Sequence, residues 1–370
     1  MTLARLGLAL ALTSGAGAAD TARYFDPWHA DGAVIAPDGQ HVAYFLWVGE
    51  RKSEVVIADC DYPTTPVAVV LGQRSKLAGT GMQKLQWANP SQVQALTRAR
   101  EWWSITLAGK AVRIEGSVPE PPSTTVNPSA GSGAGSALDP TFAALCLKFP
   151  DRTVEVTGWD NTRNRAVLLV TSRSEPGRYF LYDHSQDRLT EFVRRMPRLR
   201  RADLATVRLF AVRTGATGSM AAMLAEANLP PAQPNPVVVF CRGEAAKDEK
   251  PHFEPELHAL VAAGFTVIEF APPLPEASAV SQVSQALTTL LSRLSLNSSR
   301  VGLVGTGSGA ILVSQAVARH PEQFRCAAII DGPLLAFGHP DARPFLSVRS
   351  ENGKLAPAFV AVIAFLHQQL

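Results

Sequence analysis

The stretch Arg300–Phe324, RVGLVGTGSGAILVSQAVARHPEQF, limits the possible folds more than any other part of this chain. Val301–Val304 reads as a buried strand, Gly305-Thr306-Gly307-Ser308-Gly309 as a tight turn, and the residues after it as a helix. A strand that passes at once into a helix belongs to a parallel sheet, because parallel neighbours need a crossover to return the chain.

The surrounding sequence extends that pattern. Pro236–Phe240 is a continuous apolar run of the kind buried on both faces. Glu254–Ala263 reads as a helix and Phe265–Phe270 as a strand. Val280, Val283, Leu287, Leu290, Leu291 and Leu294 recur at helical spacing. Strands at Ala327–Ile330 and Phe345–Val348 and a final helix at Ala358–Leu370 complete an alternating α/β region, placed at 216–370.

Before it the period changes. Ala36-Pro37-Asp38-Gly39 is a turn signal, followed by strands at His41–Val48 and Glu54–Ala58. Lys84–Trp87, Gln92–Ala95, Ser104–Leu107, Thr153–Val156, Ala166–Thr171 and Tyr179–Asp183 give further short strands. The segment 117–140, SVPEPPSTTVNPSAGSGAGSALDP, reads as a flexible loop inside this β-rich region of 19–215. Trp102-Trp103 is read as strand core in preference to a ligand-stacking pair.

Residues 1–18 have the form of a secretory leader: Arg5, the apolar run Leu6–Leu12, and Ala16-Gly17-Ala18 as a small-residue cleavage site. The expectation is an exported protein, periplasmic or secreted, starting near Ala19. That run is too short to span a bilayer, and no later segment qualifies as a membrane helix. A net charge of +3 is too small to imply nucleic acid. The densest basic patch, Arg194, Arg195, Arg198, Arg200 and Arg201, is read as a solvated connector. Cys60, Cys146, Cys241 and Cys326 lie far apart, without metal spacing. Cys241 and Cys326 end or start apolar strands, so buried free thiols are expected, with a disulfide of unassigned pairing as the alternative; no metal or cofactor is expected.

The chemistry turns on Gly307. In hydrolases a strand–turn–helix junction of this kind carries G-x-S-x-G, with the nucleophilic Ser on a strained turn. Gly305 and Gly309 supply the outer glycines here, and the nucleophile position holds Gly307.

Taken with Pro37-Asp38-Gly39, Val42-Ala43-Tyr44, Val237–Phe240, Ala263-Gly264-Phe265-Thr266-Val267, Arg319-His320-Pro321 and Phe324, the chain resembles the prolyl oligopeptidase family of serine peptidases. The resemblance implies an α/β hydrolase-like C-terminal domain with an N-terminal β-propeller-like, shortened all-β domain. It also implies a ligand site in the cleft between the two domains. Where the family has His-Gly-Gly-Pro, near its oxyanion site, this chain has Cys241-Arg242-Gly243-Glu244. The position matching the catalytic Asp is Gly353, after Glu351 and Asn352. The segment that should bear the catalytic His is missing before the last helix, and His367 lies within that helix. The resemblance therefore implies a degraded triad and a remaining role in binding a peptide or protein, with Gly305, Gly309, Arg242 and Gly243 around the site.

Two alternatives stay open at this level. Ser308 is either a displaced nucleophile, making an active peptidase or esterase, or the N-cap of the following helix. Gly305–Ala310 also fits G-x-G-x-x-A, with Asp331 ending the next strand where a dinucleotide site carries its ribose-binding acid.

Overall fold

The computed structural model describes residues 21–25, 29–49, 52–70, 82–115, 140–214, 218–228, 234–242, 252–270, 279–332, 343–350 and 355–370. The leader at 1–18, nearly all of the Pro-, Ser- and Gly-rich segment, and the charged Lys247–Lys250 lie outside them. The chain divides into two compact units. One is Asp26–Leu204 with Lys247–Glu254, and the other is Ala205–Ala246 with Pro255–Leu370 and the segment ending at Phe25.

The first unit holds three four-stranded antiparallel sheets, each in chain order. They comprise β1 (His29–Ile35), β2 (His41–Gly49), β3 (Lys52–Asp59) and β4 (Pro66–Val70); β5 (Met82–Asn89), β6 (Gln92–Thr97), β7 (Trp102–Thr106) and β8 (Ala111–Arg113); and β9 (Thr153–Trp159), β10 (Arg165–Ser172), β11 (Glu175–Asp183) and β12 (Arg188–Arg194). Period-two sequences build them: in Thr153–Trp159 every second residue is buried. The Ala36–Gly39 turn forms as its composition requires. Gly39 takes a φ of +73° and its N–H donates to Ala36 O at 2.9 Å.

The first sheet lies between the other two. Phe45, Trp47, Val55 and Ile57 pack with Leu85, Val93, Trp103 and Ile105 of the second sheet. Ile35, Val42, Ala58 and Cys60 pack with Val167, Tyr179, Leu181 and Phe192 of the third. The far face of the third sheet is covered by α1 (Pro140–Leu147) through Phe142 and Leu145. This stack of meanders is compatible with a propeller-like domain.

Arg165 ties the third sheet to the first. Its guanidinium reaches Asp183 Oδ2 at 3.3 Å, Asp61 Oδ1 at 2.7 Å and Gly39 O at 3.1 Å. Asp183 is almost wholly buried, and removing its cation leaves that charge short of a partner. Arg165→Met is expected to destabilise this unit by about 3 kcal/mol, at the low end for a broken buried pair because Ser185 and Gln186 still donate to Asp183. Urea titration followed by tryptophan fluorescence measures this. A change within about 0.5 kcal/mol, the range of an inert surface substitution, would show that the latch contributes nothing.

The second unit is built on one seven-stranded sheet in the order β13-β14-β16-β15-β17-β18-β19. The strands are β13 (Thr206–Thr214), β14 (Gly218–Glu226), β15 (Val237–Cys241), β16 (Thr266–Phe270), β17 (Val301–Thr306), β18 (Cys326–Ile330) and β19 (Phe345–Val348). From β16 to β19 all neighbours are parallel, and β14 runs against both its neighbours. The helices are α2 (Pro255–Ala262), α3 (Ala279–Arg293), α4 (Gly309–Arg319) and α5 (Leu355–Gln369). Alternate residues of β15 show why both faces are covered. Val237, Val239 and Cys241 pack on α3 and α4, while Val238 and Phe240 pack on α2 and α5.

Both limits of the β-rich region need correction. The β-rich region does not run from 19 to 215, because Thr206–Thr214 is an edge strand of the seven-stranded sheet. The 3-10 turn Ala22–Phe25 also packs on the α/β unit, with Phe25 5.4 Å from Phe359 between ring centroids. The Arg194–Arg201 patch is solvated as expected, with Arg194, Arg198, Arg200 and Arg201 exposed, and three of its side chains also form ion pairs. Arg194 meets Glu191, Arg195 meets Asp31 and Arg200 meets Asp203. All four cysteines are free. Among the described residues, no helix is long and apolar enough to cross a membrane.

Candidate functional site

The chain reverses its winding at β15. It passes through α2 to β16 on one side and returns through α3 to β17 on the other. The switch point of the sheet therefore lies at the carboxyl ends of β15 and β17, where ligands bind in sheets of this type. The structure places Cys241, Arg242 and the turn Gly305–Gly309 there, with Cys241 and Gly305 as register partners.

The turn has the shape that its glycines require. Gly307 takes a φ of +54°, and a Cβ built on it would meet nothing within 4 Å. Its N–H donates to Ile330 O at 3.1 Å, which pins the turn to the end of β18. Gly309 is the opposite case. A Cβ there would lie 2.2 Å from Cys241 O and 2.8 Å from the Arg242 carbonyl carbon. The end of β15 is thus pressed onto the first turn of α4.

Ser308 is exposed and takes the helical backbone conformation, with φ of −68° and ψ of −22°. It holds the N-cap position of α4 within the turn, as one reading of the sequence expects, but its side chain makes no cap hydrogen bond. The helix start is instead closed by backbone bonds, Ala310 N to Gly307 O and Ile311 N to Ser308 O.

Arg242 is paired with Glu269. Its Nε lies 3.2 Å from Glu269 Oε1, and its guanidinium sits over the Phe240 ring. Glu269 was not singled out in the sequence, although one acid in the apolar strand TVIEF was a usable signal. Burial, reinforced by the nearby Glu269 charge, pushes the Cys241 thiol up to about 12, so it stays protonated at neutral pH.

No described histidine of this unit lies beside the turn. His320 closes the far end of α4, about 16 Å from the turn for an 11-residue helix. His367 bonds Ala263 O at 2.8 Å, just before β16 begins, and so lies at the amino ends of the strands, opposite the turn. His258 is buried, with its Nδ1 accepting the Ala205 N–H at 2.9 Å. Gly243, Glu351, Asn352, Gly353 and His339 lie outside the described residues.

Asp331 stands at the end of β18 with its Oδ1 accepting the Ser350 N–H at 2.7 Å. Hydrogen bonds from Ser350 hold its carboxyl below the usual range. That carboxylate is committed to the β19 side, which leaves the dinucleotide reading without a specific observation in its favour. Among the described residues, no group of three or more His, Cys, Asp or Glu side chains is placed to hold a metal.

No protein-family model matches the sequence, and no curated protein matches it. Among solved structures the chain is similar to a puromycin-hydrolyzing peptidase of Mycobacterium tuberculosis. The two are 14% identical with a TM-score of 0.47, covering 91% of this chain and 69% of that one. It is similar to oligopeptidase B of Trypanosoma brucei, at 12% identity and a TM-score of 0.39, covering 78% and 40%. It is also similar to prolyl oligopeptidase B of Galerina marginata, at 12% identity and a TM-score of 0.44, covering 92% and 60%. This chain thus spans less than two thirds of the length of the latter two.

Proposed function

We propose that this chain is an exported, hydrolase-like relative of prolyl oligopeptidase-type serine peptidases that binds a peptide or protein segment without cleaving it. The observation that carries this reading is Gly307. It holds the left-handed turn of a nucleophile elbow, in open space, with no side chain to attack. The reversed second strand and the crossover order around β15 support the α/β hydrolase-like assignment, and the three meander sheets support the propeller-like one. Against Ser308 as a replacement stands that no described histidine of this unit lies beside it, and a hydroxyl without a base is a weak nucleophile.

The wild-type protein is expected not to label with a fluorophosphonate probe, and Gly307→Ser is expected to turn over activated esters no faster than wild type. A hydroxyl placed at the elbow still has no described histidine beside it, and triad members act as a unit. The new side chain also takes up a left-handed φ, at about 1–2 kcal/mol. Stoichiometric labelling of wild type that Ser308→Ala abolishes would establish an active hydrolase instead. Robust turnover by Gly307→Ser would reveal a base at the site.

A further inference from the structure

The β-rich unit contains a cavity of about 210 Å³ beside the last strand of its third sheet. Its lining comes from two places. Glu175, Pro176, Gly177, Arg178 and Arg194 belong to β11 and β12, and Met196, Leu199, Arg201 and Leu204 to the segment that follows them. Gly177 O accepts the Arg195 N–H at 3.0 Å, so that segment is held against the hairpin by backbone.

Glu175, Arg178 and Arg194 of the lining belong to a ladder of alternating charges. Arg152 and Arg178 both donate to Glu175, Arg178 donates on to Glu191 at 3.0 Å, and Arg194 Nε donates to Glu191 at 2.8 Å. The ladder therefore begins and ends on a cation, with three guanidinium groups to two carboxylates. Arg cations beside Glu175 and Glu191 hold both acids below their usual range. At the open end Arg194 meets Glu191 through Nε, and its two Nη groups have no partner among the described residues, which leaves them as a fork. Arg201 adds a further cation to the lining. Leu199 and Leu204 are buried, and with Pro176 and Met196 they make the rest of the lining apolar.

We propose that this cavity is a binding site for a carboxylate carrying a short apolar tail. A carboxylate placed against Arg194 would continue the alternation, with both oxygens on the guanidinium fork. The apolar lining selects against a bare inorganic anion. The volume falls below the roughly 300–1,000 Å³ of pockets for drug-sized ligands, so the occupant is about one residue in size. Two sources share this chemistry: the C-terminal residue of a peptide and a free branched aliphatic acid. The site is independent of the switch point at β15 and β17, and of whether Gly307 marks a lost nucleophile.

The test is calorimetric titration of the whole protein with N-acetyl-Ala-Ala-Leu, with the same peptide as its C-terminal amide, and with 4-methylpentanoate. At least one of the two acids is expected to bind, and if the peptide acid binds, the amide is expected to bind at least tenfold more weakly. Arg194→Gln and Arg201→Gln are each expected to weaken the acid by tenfold or more. Both positions are exposed, and their melting temperatures should match wild type. If 4-methylpentanoate binds as tightly as the peptide acid, the site takes free acids. If only the peptide acid binds, it takes peptide C-termini. Equal affinity for acid and amide, acid binding unaltered in both variants, or no binding of either acid would overturn the proposal.

Discussion

Gly309→Ala is expected to destabilise the α/β unit by about 3 kcal/mol, the upper end of the range for inserted core atoms. The sign runs against helix propensity, since Ala is favoured over Gly within a helix by about 1 kcal/mol. Geometry decides it. The new methyl would lie 2.2 Å from Cys241 O and 2.7 Å from its carbonyl carbon. Both atoms are main chain at the end of a strand paired on both sides, so no side chain can swing away. Relief requires α4 to lift from β15, which strips contacts from Ala310 and Val313 in the core. Gly307→Ala supplies the control in the same turn. Its methyl meets open space, and only the left-handed φ opposes it, at about 1–2 kcal/mol. Urea denaturation of both variants tests the pair. A Gly309→Ala protein as stable as wild type would mean that α4 does not start against β15.

Phe359→Ala is expected to cost about 3–5 kcal/mol, the usual range for deleting a buried aromatic side chain. Phe359 is fully buried on α5, with its ring 5.4 Å from Phe25 and 6.2 Å from Phe240 between centroids. It joins the final helix, the central strand and the 3-10 turn before the first sheet within one unit. Truncation leaves a cavity lined by elements that the parallel sheet holds apart, so little collapse is available to fill it. Leu147→Ala is the matched control. Leu147 is 83% exposed, and its loss should fall within about 0.5 kcal/mol. Circular dichroism melts at matched concentration distinguish the two. A loss under 1 kcal/mol for Phe359→Ala would mean that α5 is not docked on the sheet.

The α/β alternation was legible from residue 236 onward because strands buried on both faces leave unbroken apolar runs. Val237–Cys241 and Cys326–Ile330 are of this kind, and all their residues are buried. The amphipathic spacing of Ala279–Arg293 likewise showed its helix. The two strands that open the seven-stranded sheet were not legible. Gly218–Glu226, GSMAAMLAE, is rich in Ala, Met and Leu, which favour helix. It is a strand because β13 and β16 pair with it on both sides, and that pairing exists only in the assembled sheet. Thr206–Thr214 lies at the edge with most residues at least partly exposed, so it lacks the apolar run that marks its neighbours.

The candidate site divides in the same way. By itself, the sequence determined the glycine turn between strand and helix, the absence of a side chain at Gly307, and the lone Arg after Cys241. These are local matters, set by backbone conformation and residue type within a few positions. Only the tertiary structure decided that Arg242 is neutralised by Glu269, that Asp331 is spent on Ser350, and that the Ser308 side chain makes no cap hydrogen bond. It alone also placed His320 and His367 away from the turn. These relations join residues from different strands and helices. Spacing along the chain carries no information about them, because parallel strands meet through crossovers whose direction is settled by packing on the sheet.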